Sequence, residues 1–529
     1  MKIKLIFLII IIVATGLRFY KLDQFPPSIS WDEAAVGYNA FSIANYGKDE
    51  YGEVFPLFFK SFGDDKHPVH IYLTAVSVKL FGLSEFSIRL PVALFGVMNV
   101  IIIFFLAKFL FKSEIIGLIA SFLLAISPFN LHFSRFNHEA NFLLFFFLIG
   151  LTLFIYSVKK NNRLLPLSTF GFGISFLAYH PAKVVVPVIV GILILLFWRQ
   201  IIENKKALMA SVLISSIFLV AVLFNPQLLG LARIKQNTLS KDKIESTYLF
   251  KITKNETLGK LNLVSEQYVS HFSPTFLFLS GDKNPRLSSQ SNGEIYLIEL
   301  PFFVLGIIFL LLRRSKEGLV LLAWIIAAPL PSSLVAEAPH AARASLMMGA
   351  LQITTALGFY QFIIFLKRSL IKRVIVSISL FIVLGSVIGY LKYYYGEYTK
   401  RYAIEWQYGY KQAVEYVKQH EEYHSVYVTD VRSQPYVFFL FYLQTPLDSF
   451  RSSALFNNQA SKSYNTISSY GKYYFGGWNP SSDPYQKGVL YILTPSEYDG
   501  LMNRDIYDVK KVIKYPNGTT AFYLVAVNN

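Results

Sequence analysis

The chain contains no cysteine in 529 residues. That absence excludes a disulfide framework, a thiolate metal site and a cysteine nucleophile. Charge is also scarce: Asp, Glu, Lys and Arg make up 16% of the residues, against about 25% in a soluble domain. Together with 53% hydrophobic residues and a mean hydropathy of +0.42, this excludes a single water-soluble globule. It equally excludes a disordered chain, which needs low hydrophobicity and high charge. No internal repeat of about 20–50 residues is visible, which excludes a solenoid. What is abundant is apolar and aromatic, with 48 Phe and 34 Tyr. The class that remains is a polytopic membrane protein.

Apolar runs recur over 5–20, 88–107, 115–131, 140–158, 164–180, 183–198, 207–225, 295–312, 318–335, 343–366 and 373–392. They predict about eleven transmembrane helices. A shorter apolar stretch, 68–82, is interrupted by His70, Thr74 and Lys79. The positive-inside rule decides whether it crosses. If it does not, and the N-terminus is cytoplasmic, the cytoplasmic segments hold seventeen basic residues against Glu114, Glu203 and Glu317. These segments then account for most of the net charge of +17, which is therefore a topology signal and not a nucleic-acid surface. We read 68–82 as a juxtamembrane helix at the outer surface. The N-terminal Met-Lys-Ile-Lys and its apolar run resemble a signal peptide. The run ends in Arg18-Phe19-Tyr20, which suits the outer end of a retained signal-anchor.

The domain division that follows is a transmembrane domain over 1–395, with external loops 21–87 and 226–294, and an extracytoplasmic α/β domain over 396–529. That last segment carries 13 basic and 12 acidic residues and 19 of the tyrosines. Its pattern predicts a helix over Glu405–Gln419, strands at Ser425–Thr429 and Val489–Leu493, and a terminal hairpin around Pro516-Asn517-Gly518. Its tyrosines would either stack on acceptor sugars or reflect ordinary strand composition.

Polar residues near a bilayer are costly and mark function. Ser30-Trp31-Asp32-Glu33 offers adjacent carboxylates that can divide catalytic labour; it also reads as a helix start, with Ser30 as cap and both acids favoured by the dipole. Asp64-Asp65-Lys66-His67-Pro68 places Lys66 at headgroup level, suited to a lipid phosphate, or else is a polar turn with snorkelling. Arg135-Phe136-Asn137-His138-Glu139 offers a phosphate ligand and a sugar-binding acid, or a structural ion pair. The turns Tyr179-His180-Pro181-Ala182-Lys183 and Pro339-His340-Ala341-Ala342-Arg343 each add a His and a base. In this topology all five turns reach one membrane face, an acid-and-base site suited to a substrate with a lipid tail and a phosphate. The outer-side acids and histidines would also suit a divalent cation (Mg²⁺, Mn²⁺ or Zn²⁺), although no HExxH or comparable spacing assigns a metal site. The rival reading, a lipid-linked-sugar flippase or transporter, expects charges deep in the spans and two related halves; the sequence displays neither.

These motifs carry a resemblance. The chain resembles the GT-C polyprenyl-phosphate-sugar glycosyltransferases, in the protein O-mannosyltransferase branch (family 39) with its relative lipid A aminoarabinose transferase. The resemblance rests on Asp32-Glu33, on Asp65-Lys66-His67-Pro68 followed by Ile71-Tyr72-Leu73, on Phe81-Gly82-Leu83-Ser84-Glu85-Phe86-Ser87-Ile88-Arg89-Leu90-Pro91, and on the Arg135 to Glu139 turn. It covers about residues 1–365. It implies a polyprenyl-phosphate sugar donor and an active site at the outer membrane face, with Asp32 as catalytic base and Lys66 binding the donor phosphate. From there we expect an inverting transfer of one sugar to a hydroxyl of a protein, lipid or glycan acceptor at the outer face of the plasma membrane. We further expect Glu33 beside Asp32 in the catalytic position, Arg135, Arg343 and Lys183 joining Lys66 on the phosphate, and Asp65, Glu139, His67 and His138 orienting sugar or acceptor. The family's frequent Glu-Lys-Pro-Pro is here Asp65-Lys66-His67-Pro68. The Trp-Trp-Asp signature of oligosaccharyltransferases is absent, which argues against transfer of whole oligosaccharides to asparagine.

Overall fold

The structure is a computed structural model and describes residues 2–62, 66–160, 162–229, 238–457, 465–479 and 485–527. In chain order its principal helices are α1 (Lys2–Phe19), α2 (Trp31–Tyr46), α3 (Pro68–Phe81), α4 (Glu85–Phe111), α5 (Glu114–Ile126), α6 (Pro128–Phe133), α7 (Glu139–Lys160), α8 (Leu165–Ala178), α9 (Ala182–Ile202) and α10 (Lys205–Phe224). They continue with α11 (Glu256–Ser270), α12 (Leu300–Arg313), α13 (Lys316–Ala327), α14 (Met347–Phe365), α15 (Ser369–Tyr393), α16 (Tyr410–Gln419) and α17 (Pro435–Leu443). The strands are β1 (Ser425–Val428), β2 (Leu455–Phe456), β3 (Ile467–Tyr470), β4 (Tyr473–Phe475), β5 (Val489–Leu493), β6 (Tyr507–Lys514) and β7 (Thr520–Val527). Each of the eleven apolar runs carries a helix. Six helices among the described residues (α4, α7, α9, α10, α14 and α15) are long and apolar enough to cross a membrane alone. The chain is a multi-pass membrane protein.

Two compact units form: residues 1–20 with 92–393, and residues 21–91 with 394–529. In the helical unit, neighbouring spans approach through small residues, as lipid-embedded helices do. A Cβ at Gly358 of α14 would fall on the backbone of Phe302 in α12, so the contact needs glycine there. A buried polar chain ties helix ends together. Arg18 donates to the Ala14, Leu124 and Ala125 carbonyls and to Asn130 Oδ1 (2.6 Å). Asn130 donates to Asn141 Oδ1 (3.0 Å), and Asn141 to Ser134 Oγ (2.8 Å). Arg18, read from the sequence as an interfacial anchor, is instead fully buried; the carbonyls left open at the end of α5 hold it there.

In the second unit a seven-stranded sheet, order β2-β3-β4-β1-β5-β7-β6, is parallel where β1 meets β4 and β5 and antiparallel elsewhere. Alternation sends Val426, Val428, Leu490, Ile492, Phe522 and Leu524 to one face. That face shares a single core with Ala35 and Tyr38 of α2, Ile71 of α3 and Phe438 of α17. The segment after α1 thus folds with the C-terminal sheet. The α2–α17 approach is close: a Cβ on Gly37 would enter the Phe441 ring. Helix α3 is present as the short 68–82 element expected from sequence. The helix expected over Glu405–Gln419 starts only at Tyr410, because Gln407 and Gly409 adopt positive φ (55° and 113°). The tyrosines serve packing: Tyr410, Tyr436, Tyr470 and Tyr491 are buried, and Tyr427 stacks between Tyr474 and Tyr491 at 5.0 and 5.7 Å.

The turn after α2 contains an acid in an unusual setting. Glu50 is 1% exposed, and its N–H donates to Asn39 Oδ1 (3.0 Å). Burial, with the neighbouring Asp49 charge, pushes its carboxyl up to about 8. Burial and the Glu50 charge together raise the phenols of Tyr38 and Tyr436. An unfolded Glu ionises near pH ~4.3, so between there and about pH 8 the folded chain holds a proton that the unfolded chain releases. Stability from this site is complete at the acid end of that window and falls as pH rises through it. Thermal unfolding of the detergent-solubilised chain should show Glu50→Gln gaining on the wild type between pH 6 and 9; parallel melting curves across that range would contradict the assignment.

Candidate active site

Helix α2 begins where the chain offers Ser30 followed three residues later by Glu33. Ser30 Oγ accepts the Glu33 N–H and Glu33 Oε2 accepts the Ser30 N–H, both at 3.3 Å, a reciprocal capping box. Glu33 has a second partner, Arg89 in the first turns of α4. Arg89 Nε donates to Glu33 Oε1 (3.0 Å) and Nη2 to Oε2 (3.3 Å). Its remaining hydrogens reach the carbonyls of Leu22 and Pro26 (3.1 Å each) and Ser28 (2.6 Å). Both side chains are 0% exposed. Glu33, expected beside Asp32 in a catalytic position, is buried against Arg89 and anchors the helix start. Desolvation explains why: a carboxylate removed from water needs a cation and full hydrogen bonding.

Asp32, one residue earlier, faces outward. Its Oδ1 lies 2.7 Å from Lys66 Nζ, with the side chains 36% and 13% exposed respectively. Lys66 is fixed by an isolated bridge in which its N–H and C=O both pair with Phe59 (2.7 and 3.0 Å). Pro68 then opens α3, with His67 buried at the N-cap and making no side-chain cap bond. Asp65 lies outside the described residues.

The other expected residues belong to the helical unit. Arg135 is 2% exposed and closes the end of α1: Nη1 donates to the Leu17 and Arg18 carbonyls (2.9 and 3.1 Å) and Nη2 to Tyr20 (2.7 Å). A guanidinium there meets the negative end of the helix dipole. His138 Nδ1 accepts the Ala140 N–H (3.1 Å) and lies 3.6 Å from Glu139 Oε2, at the start of α7. Lys183 Nζ is 3.2 Å from His180 Nδ1. Arg343 donates to the Ala336 carbonyl (2.7 Å), with Glu337 at 3.9 Å.

Some site-shaping residues carried no sequence signal. Asp282 Oδ2 accepts the Ala341 N–H (2.6 Å), and His271 Nε2 accepts the His340 N–H (3.3 Å), so the Arg343 turn is pinned from outside its own segment. Burial lowers His271 to about 4, which keeps it neutral at pH 7 with Nε2 as an acceptor. Burial likewise lowers His132 to about 4, and the nearby Arg135 charge adds to that. Asp282 is raised by burial. Arg89 did have a signal: an arginine in the first turn of an apolar span demands an acid. Among the described residues no group of three or more His, Asp or Glu side chains is arranged to hold a metal ion. Between α8, α9 and α10 lies an apolar cavity of about 580 Å³, lined by residues such as Phe172, Pro187, Ile194, Val212 and Leu219, whose walls suit a hydrocarbon chain.

Solved structures share this architecture. ArnT from Cupriavidus metallidurans aligns over 98% of this chain and 97% of its own, at 14% identity, with TM-scores of 0.56 in the apo state and 0.53 bound to undecaprenyl phosphate. The fold is GT-C. The Archaeoglobus fulgidus oligosaccharyltransferase tethered to an acceptor peptide gives a TM-score of 0.52 at 14% identity, over 100% of this chain and 74% of its own. Residues 65–224 match the family described as dolichyl-phosphate-mannose-protein mannosyltransferase. That stretch contains Lys66, Arg89, Arg135, Glu139 and Lys183; the Asp32-Glu33 pair precedes it. YkcB of Bacillus subtilis (strain 168), which bears a provisional mannosyltransferase name, is 32% identical over 106 residues, 20% of this chain and 15% of YkcB. The chain therefore aligns with only a small part of that relative's length.

The geometry makes Arg89 the keystone of the site. Arg89→Met leaves a buried carboxylate without its cation, a change that costs about 3–5 kcal/mol in comparable pairs. Its melting temperature should fall well below that of Lys411→Met, which removes a partly exposed partner of Glu85. Equal melting of the two variants would refute the keystone role.

Proposed function

We propose that the chain is a membrane glycosyltransferase that moves one sugar from a polyprenyl-phosphate donor to an acceptor hydroxyl. The observation that carries this reading is the Asp32–Lys66 pair: a fixed, half-exposed carboxylate beside a fixed ammonium, in a GT-C fold. ArnT bound to undecaprenyl phosphate and the A. fulgidus enzyme AglB in complex with dolichol-phosphate support a lipid-phosphate ligand for this architecture. The acceptor oxygen attacks the anomeric carbon as the bond from that carbon to the phosphate oxygen breaks, and its electron pair leaves with the phosphate. Lys66 stabilises the charge that develops there. Asp32 takes the acceptor's proton. A single displacement inverts the anomeric centre, unlike the two-step retaining scheme.

In this reading Glu33 and Arg89 position the base and touch no substrate. Arg135 holds the end of α1. Following the basic-residue bias, the N-terminus is cytoplasmic and the site lies on the outer face of the plasma membrane, where the acceptor is a protein, lipid or glycan hydroxyl.

Purified chain offered radiolabelled polyprenyl-phosphate sugars one at a time, with a membrane extract as the acceptor source, should release polyprenyl phosphate. Loss of a general base costs about 10²–10⁴-fold, so Asp32→Asn should lose activity on that scale. Near-full turnover by that variant would remove Asp32 from the mechanism. Parallel reactions with EDTA would reveal any dependence on a divalent cation.

A further inference from the structure

Before the donor arrives, the base and the phosphate ligand already hold each other. We propose that Asp32 and the lipid phosphate compete for Lys66, so that the base is released only when donor is bound and the product is expelled when Asp32 takes Lys66 back. This inference rests on the proposed function and assigns the ion pair a regulatory task within it.

The pair is built, not incidental. Asp32 stands on a helix start locked by the Ser30–Glu33 capping box and the buried Arg89. Lys66 stands on a backbone bridged in both directions to Phe59. The two groups meet at 2.7 Å, and the lysine is only 13% exposed. Anchoring of both backbones reduces the entropy that weakens ordinary surface pairs, and partial burial reduces screening by salt. The resting state thus pairs the base with the phosphate ligand.

A donor changes the balance. A sugar phosphodiester carries one negative charge and offers Lys66 an alternative partner. Once Lys66 turns to the phosphate, the Asp32 carboxylate is released from this contact, next to the reacting centre. Transfer of the sugar leaves a phosphate monoester, whose charge at pH 7 is about −1.5 to −2. That product binds Lys66 more tightly than the donor did; Asp32 first passes the acceptor's proton on to water, and the carboxylate so regenerated competes the product away. The pair therefore imposes an order: donor before deprotonation, and carboxylate recapture with product release.

The competition has a measurable signature without turnover. Binding of farnesyl phosphate to the full-length chain in detergent is measured by equilibrium dialysis for the wild type, Asp32→Asn, Lys66→Met and the double variant. Asp32→Asn should bind about fivefold more tightly than wild type, the scale expected for releasing one partly exposed pair. In the Lys66→Met background the same change should have no effect, because the cycle isolates what Asp32 does through Lys66. Tightening that persists without Lys66 would show simple charge repulsion and overturn the inference. Unchanged or weaker binding by Asp32→Asn, with the wild type binding normally, would overturn it as well and leave the glycosyltransferase reading standing. No binding by any variant would defeat the donor reading itself. Melting curves of the four proteins confirm that each is folded.

Discussion

The buried Glu33–Arg89 pair is the constraint on which the rest of the second unit depends. A carboxylate and a guanidinium with no exposed surface are tolerated only because their hydrogen bonds are met together. Arg89 collects three backbone carbonyls from residues 22–28 as well as both Glu33 oxygens. In doing so it sets where the first external segment turns and where α2 begins. Asp32 inherits its position from that turn, beside Lys66. A side chain positioned by an adjacent buried ion pair is held by desolvation, which is a stiffer restraint than a surface contact.

The helical unit applies the same logic to different partners. Arg18 and Arg135 are buried arginines whose hydrogens close carbonyls at helix ends, and an asparagine chain continues from Arg18 to α7. In a medium without water, every open carbonyl at a helix end needs a donor. Arginine has five donors and stays charged, so one side chain can meet several such carbonyls.

The sheet unit shows why the first external segment is long. Helices α2 and α3 complete the hydrophobic core under one face of the C-terminal sheet. A small mixed sheet exposes two apolar faces and must bury both. Here the missing layer comes from residues almost four hundred positions earlier in the chain. The tyrosine wealth of the C-terminal segment follows from the same need, since rings from adjacent strands stack across the sheet.

By itself the sequence determined what local pattern can encode. Eleven apolar runs became helices because hydrophobicity over that length admits little else in a bilayer. The Ser30-x-x-Glu33 spacing announced the start of α2, Pro68 the start of α3, and short runs rich in β-branched and aromatic residues the strands at Ser425 and Val489. Only the tertiary structure decided the rest. It separated Asp32 from Glu33, two neighbours of one chemistry, by placing one against Lys66 and the other against Arg89. It set Arg135 against the carbonyls at the end of α1, and it made the first loop part of the C-terminal core. These outcomes turn on which side chain loses water and which partner meets it there. Burial and pairing are properties of contacts between distant segments, so no window of sequence contains them.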